Sequence, residues 1–267
     1  MIPKKLHYIW FGKKEKPEFV QFCINSWKKT LPDFEIIEWN EDNFDFAQNT
    51  FAREAYEQRK WAFVSDYARA KILYQEGGFY VDTDMEIRLP LDEFTQYRAV
   101  CGFEVAHVPF SAFFAVEKGH VLAKKMVDFY DNLSHFQEIT NISIFSKMMI
   151  DDFGADPTKD EFQELKEGIK LFPSSHFSLD LPKNYIAHHF SGSWHGAWSA
   201  DDNGYKNMVN TYGLLHLVSK IPNGKKNVKN VVYNQNKIEI DKVLDQIPLS
   251  FIISYVKKSV LKKVIRK

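Results

Sequence analysis

The chain has 267 residues, 45% hydrophobic and 15% aromatic, with 35 basic side chains balanced by 35 acidic ones. That content suits a packed globular protein and excludes a disordered one. Zero formal charge removes the global field that would draw a chain to nucleic acid. Cys23 and Cys101 are isolated, so they build neither a disulfide framework nor a zinc site, and a reduced, cytoplasmic setting is expected. The opening MIPKKLHYIWFG has too short an apolar run for a signal peptide. No run reaches the roughly 18 apolar residues of a membrane span.

Residues 6–11 form a short apolar run closed by Gly12, which predicts a buried strand. Pro17 suits the first turn of a helix, and Val20, Cys23, Ile24 and Trp27 follow at helical spacing until Pro32. Residues 34–39 read as a second strand. Residues 40–51 read as a polar loop with short helical turns. Residues 60–76 are apolar on two faces, Trp61, Val64, Ala68 and Ile72 on one and Phe63, Tyr67, Ala70 and Tyr74 on the other, which predicts a helix buried on most sides. Gly77-Gly78 stops it, and the strand Phe79-Tyr80-Val81 ends in Asp82-Thr83-Asp84. Strand, helix, strand, helix, strand in this order predicts an α/β fold with a mostly parallel sheet.

Beyond it the order becomes less regular. Residues 99–103 and 111–116 read as strands, 121–133 and 142–153 as helices, 151–160 as a polar loop, and 169–172 and 185–190 as short strands. We read one domain over 1–247 and a distinct tail over 248–267. The tail carries Lys257, Lys258, Lys262, Lys263, Arg266 and Lys267 without an acid, and Ile252, Tyr255, Val256, Val260 and Val264 fall on one helical stripe. A basic amphipathic helix of this kind suits an anionic membrane surface, which would make the protein peripheral at the inner face of the membrane. The competing reading is a terminal helix docked on the core.

The chemistry concentrates at Asp82-Thr83-Asp84. Residues two apart on a strand face one side, so the strand end offers two carboxylates to a divalent cation such as Mn²⁺ or Mg²⁺ and its diphosphate ligand. A bare D-x-D also arises as a polar turn. Asp66 and Arg69 share one helix face; they are a local ion pair or a diphosphate contact, and a buried pair needs partners either way. Trp10 ends the first strand, where an aromatic either stacks on a base or packs into the core. The segment His188-His189-Phe190-Ser191-Gly192-Ser193-Trp194-His195 adds imidazoles for a metal and donors for a phosphate. His195 and Trp198 are placed near an open cleft for an acceptor sugar, and Glu104 is a candidate cleft carboxylate.

Together these residues resemble the D-x-D glycosyltransferases of family 32, and more distantly the catalytic domains of clostridial glucosylating toxins. The resemblance runs through Ile2-Pro3-Lys4, His7-Tyr8-Ile9-Trp10, Pro17, Trp39-Asn40, Ala62, Asp66, Arg69, the stretch 77–84, and His188-His189 to Ser193-Trp194. It implies a GT-A fold, a retaining mechanism, a divalent metal and a nucleotide-sugar donor. By residue, it implies that Trp10 stacks on the base and that Asp66 and Arg69 hold the donor sugar. Tyr80 and Asp82 would contact ribose and sugar, and Asp84 would bind the metal with Asp82 and His189 beside it. Ser193 and Trp194 would reach the diphosphate. Related sequences carry an Asn near position 111; Ser111 stands here, and residues 105–185 carry no shared motif. The implied reaction moves a hexosyl unit, from a UDP-linked donor, to a glycan hydroxyl in capsular, exo- or lipopolysaccharide synthesis, on an acceptor that the tail suggests is lipid-linked. Two other readings of the residues are a haloacid-dehalogenase-like phosphatase and a non-catalytic sugar-binding protein.

Overall fold

A computed structural model describes residues 1–190 apart from 106 and 181–183. Ser193, Trp194, His195, Trp198, the boundary at 247 and the basic tail lie outside the described residues. In chain order the elements are β1 (Lys5–Ile9), α1 (Glu18–Thr30), β2 (Glu35–Trp39), α2 (Thr50–Glu57), α3 (Trp61–Glu76), β3 (Gly78–Val81) and β4 (Met85–Ile87). A 3₁₀ turn (Asp92–Gln96) leads to β5 (Ala99–Val105), β6 (Val108–Val116), α4 (Val121–Asp131) and α5 (Asn141–Asp151). The rest comprises β7 (Gln163–Glu164), a 3₁₀ turn (Lys166–Gly168), β8 (Ile169–Phe172), α6 (Ser174–Phe177) and β9 (Ile186–His188).

A seven-stranded sheet runs in the order β2-β1-β3-β6-β5-β8-β7. The pairings set β2, β1, β3, β5 and β8 in one direction and β6 and β7 against them. The sheet is therefore mostly parallel, as expected, with an antiparallel strand inserted at its centre. Both faces are covered. Tyr80 and Phe114 pack with α2, α3, α4 and α5 on one side. Phe79, Val81 and Phe113 pack with α1, the Asp92–Gln96 turn and α6 on the other. This two-sided burial is why the central strands read as continuous apolar runs.

Two elements go beyond the sequence reading. The loop with helical turns over 40–51 runs into a helix, because α2 begins at Thr50. Asn49 accepts a hydrogen bond from the Ala52 amide at 2.8 Å and caps it, and Phe51, Ala52 and Ala55 are buried. So short a helix shows too little periodicity to be read from sequence. The segment after Asp84, to which the sequence assigned no element, forms a second one. It is β4, which pairs antiparallel with β9 in a separate two-stranded ribbon.

The glycine pair is dictated by space as well as by backbone angle. Gly77 has φ 67° and Gly78 φ 104°. A Cβ on Gly77 would lie 2.6 Å from the Lys118 amide nitrogen, and one on Gly78 would lie 2.8 Å from the Lys5 carbonyl and 2.9 Å from His7 Nε2. His7 is fully buried between these neighbours. Its Nδ1 accepts from Trp39 Nε1 at 3.0 Å, so its Nε2–H donates to the Gly77 carbonyl at 2.9 Å. One neutral imidazole thus ties β1, the end of β2 and the start of β3.

Replacing Gly78 by Ala should cost about 2–4 kcal/mol, read as a lower urea midpoint. Burial pushes the His7 imidazole down from 6.5 to about 4. The unfolded chain therefore takes up a proton that the folded chain refuses. This contribution to stability is complete above pH 6.5 and is lost as the pH falls toward 4. It amounts to on the order of 3 kcal/mol. Urea titrations over that window should show a steeper acid loss for the parent than for His7→Gln.

Candidate active site

The site is built on the carboxyl end of β3. Strand alternation sends Tyr80 and then Asp82 toward α3. The Asp82 amide donates to the Ala112 carbonyl at 2.8 Å, and the Met85 amide to the Asp82 carbonyl at 3.2 Å, so the D-x-D backbone is fixed in a turn. From α3, Arg69 reaches this turn. Its Nη2 lies 2.8 Å from Asp66 Oδ1 and its Nη1 3.3 Å from Asp82 Oδ1. Nη1 also donates to the Ser111 carbonyl at 3.1 Å, and Nε to the Ser65 carbonyl at 3.3 Å. The guanidinium carbon sits 4.7 Å from the Tyr80 ring centre, and the Tyr80 hydroxyl donates to Asp82 Oδ1 at 2.7 Å.

The Arg69 side chain is 7% exposed and that of Asp66 10%. The pair is therefore a buried network and not a surface salt bridge. Burial pushes the Asp66 carboxyl up to about 7 even though Arg69 opposes the shift. Burial, and then the like charge of Asp84, also raise Asp82, against the pull of Arg69. For Arg69, burial works against the charge, but Asp82, Tyr80 and Asp66 outweigh it and keep the guanidinium firmly protonated. Ser111 contributes its backbone carbonyl here, so the side chain at that position is not what holds Arg69.

The ribbon of β4 and β9 completes the site. Its register sets Met85 opposite His188 and Ile87 opposite Ile186. Helix α1 grips β4 through side chains. Trp27 Nε1 donates to the Met85 carbonyl at 2.7 Å, the Ile87 amide to Ser26 Oγ at 3.1 Å, and Thr30 Oγ1 to the Ile87 carbonyl at 3.3 Å. The His189 amide donates to the Asp84 carbonyl at 3.0 Å. As a result His188 Nε2 stands 3.3 Å from Asp84 Oδ1. One ligand atom each from Asp82, Asp84 and His188 lies within 4.8 Å of the others.

His189 was expected beside the two carboxylates; the geometry sets His188 beside Asp84 instead. His189 Nε2 lies 3.3 Å from Glu86 Oε2, and its ring meets Phe19 edge-on at 5.2 Å. His189, and then Arg88 at 2.7 Å, hold the Glu86 carboxyl down at about 2. The reason is alternation: neighbouring residues at a strand end point to opposite faces, and only pairing with Met85 decides which imidazole faces Asp84.

The structure thus brings together Asp66, Arg69, Tyr80, Asp82, Asp84 and, within 3.9 Å of His188 Nδ1, Glu104. Tyr80 is 2% exposed, so it acts on this site through Asp82. Trp10 follows β1, the parallel neighbour of β3, at the same end of the sheet. It is partly exposed, with Nε1 donating to the Lys14 carbonyl at 2.7 Å. A further member is Asn141, the first residue of α5. It is buried, donates to the Tyr130 hydroxyl at 2.9 Å and influences Asp66. Nothing in the sequence marks Asn141, because only packing brings α5 to α3.

Residues 17–100 match the family model described as the glycosyltransferase sugar-binding region containing the DXD motif. The chain is related to the D-x-D glycosyltransferases. Among curated proteins it is 25% identical over 214 residues to inositol phosphoceramide mannosyltransferase 1 of Schizosaccharomyces pombe, covering 73% of this chain and 63% of that protein. The chain therefore spans less than two thirds of the length of that relative. Among solved structures, the PaToxG glycosyltransferase superposes over 56% of this chain and 68% of its own, with 16% identity and a TM-score of 0.43. The galactosyltransferase LgtC superposes over 84% of this chain and 99% of its own, with 9% identity and a TM-score of 0.41. The kinship rests on the sequence matches, and it includes α3, β3 and the D-x-D turn. No helix among the described residues is long and apolar enough to cross a membrane.

Arg69→Met strands the buried Asp66 carboxylate and takes one partner from the half-buried Asp82, and should cost about 3–5 kcal/mol. Adding Asp66→Asn should recover part of that loss. A double-mutant cycle in urea should therefore give a coupling well short of additivity.

Proposed function

We propose that the protein is a metal-dependent, retaining hexosyltransferase of GT-A type that takes its sugar from a nucleotide-sugar donor. The observation that carries this reading is the cluster of Asp82, Asp84 and His188 at the end of β3, with the Arg69 cation behind it. Two carboxylates and one imidazole fit Mn²⁺ and leave coordination positions for phosphate oxygens. Asp84 and His188 would hold it, with the Asp82 oxygen not engaged by Tyr80 and Arg69. A bound cation of this kind offsets charge on a departing diphosphate.

The chain's own residues supply the rest by positioning. Arg69 fixes the Asp82 carboxylate, and Asp66 fixes Arg69, so the D-x-D turn meets its ligand already oriented. Asp66 and Arg69, nearly enclosed, would act on the sugar side through Asp82, and Trp10 stands at the same sheet end for the base. Ser193 and Trp194 are proposed for the diphosphate. The relative is named as a mannosyltransferase of inositol phosphoceramide. That favours a lipid-linked glycan acceptor here, and it fits a basic tail at an anionic membrane surface. Donor base and sugar are open to a direct screen, with a UDP-linked hexose and polysaccharide synthesis as the starting expectation.

The test is a panel of UDP- and GDP-linked sugars with and without Mn²⁺. One donor should be hydrolysed to nucleoside diphosphate in a Mn²⁺-dependent way, and Asp84→Asn should lower kcat/KM by about 100-fold or more. Release of inorganic phosphate instead would support the phosphatase reading. Donor binding indifferent to Mn²⁺ and unchanged in Asp84→Asn would support a non-catalytic sugar-binding protein.

A further inference from the structure

Glu104 is the acidic side chain in this region that the proposed chemistry leaves without a task. It lies on β5 where the pairing with β6 shifts register between Phe103 and Val105. Such a bulge re-aims a side chain that regular alternation would send elsewhere. The residue is only 5% exposed. A buried carboxylate in so apolar a strand needs a reason, because its desolvation has to be offset locally.

One partner lies on β9 of the separate ribbon, at His188. Its ring packs against Phe110, 6.1 Å away at 29°, and Phe190, 3.9 Å away at 34°. These ring neighbours are apolar, so the two nitrogens carry the polar contacts. Nε2 faces Asp84 at 3.3 Å. Nδ1 is buried, makes no hydrogen bond, and lies 3.9 Å from Glu104 Oε1. If Nε2 presents its lone pair to a cation, the ring proton has to sit on Nδ1. Glu104 then stands where an acceptor is required, and a movement of about 1 Å brings it to hydrogen-bond length.

We infer that Glu104 is the positioning carboxylate of His188, accepting from Nδ1–H so that Nε2 is aimed at the cation between Asp82 and Asp84. This rests on the metal site proposed above, and it takes Glu104 out of the reacting groups. A carboxylate behind a metal-binding histidine fixes the tautomer and raises ligand basicity, and its loss costs metal affinity.

The experiment measures Mn²⁺ affinity of the full chain without donor, by the spin-resonance signal of free Mn²⁺, alongside kcat at saturating Mn²⁺. Glu104→Ala should weaken Mn²⁺ binding by about 10–100-fold while kcat at saturating Mn²⁺ stays within a few-fold of the parent. Glu104→Gln keeps a neutral acceptor and should lose less. In a His188→Ala background, Glu104→Ala should add nothing. Unchanged Mn²⁺ affinity in Glu104→Ala overturns the inference, and so does a kcat that saturating Mn²⁺ fails to restore. Should Glu104→Ala not fold, Glu104→Gln decides, and parent-like affinity there overturns the inference. A parent that binds no Mn²⁺ sinks the metal site itself, an outcome distinct from a binding parent with an indifferent variant.

Discussion

A cation buried as deeply as Arg69 has to be enclosed by acceptors, and the site grows from that requirement. Asp66, Asp82 and the carbonyls of Ser65 and Ser111 each take one of its hydrogen-bonding or charge contacts, and Tyr80 covers its flat face. The guanidinium cannot shift without leaving the buried Asp66 carboxylate without its cation and loosening Asp82. It therefore fixes α3, the end of β3 and the middle of β6 relative to one another. The D-x-D turn inherits that rigidity, and Asp82 presents its remaining oxygen from a frame it did not have to build.

The second constraint is the ribbon of β4 and β9. It is short and would not be stable alone. Helix α1 secures β4 through Trp27, Ser26 and Thr30, and Arg88 joins it to the returning chain through Asp180 and Asn184. That anchoring carries His188 more than a hundred residues along the chain to Asp84. The same ribbon turns His189 the other way, onto Glu86. The two adjacent imidazoles thus meet different partners, one beside the candidate metal position and the other in a structural ion-pair network.

Much of the frame was legible in the sequence because the signals there are local. Apolar runs bounded by Gly12 and the glycine pair marked β1 and β3. Two apolar faces marked α3 as buried. Gly77 and Gly78 were read as a stop; the structure adds that their missing Cβ atoms make room for Lys118, Lys5 and His7. Helix α2 escaped because eight residues give too little periodicity. Strand β4 escaped because three residues beside a charged turn look like the turn itself.

The order of residues alone determined the parallel βαβ start, the two carboxylates at a strand end, and the Asp66–Arg69 pair on one helix face. Those follow from periods of two and 3.6 residues, which any reader of the chain can count. Tertiary structure decided which histidine meets the carboxylates, that Arg69 bridges Asp66 to Asp82, and that Glu104 and Asn141 stand nearby. These choices depend on strand register, on a bulge and on helix packing, and each joins residues far apart in sequence. A one-residue change of register would exchange His188 for His189, and no local pattern distinguishes them.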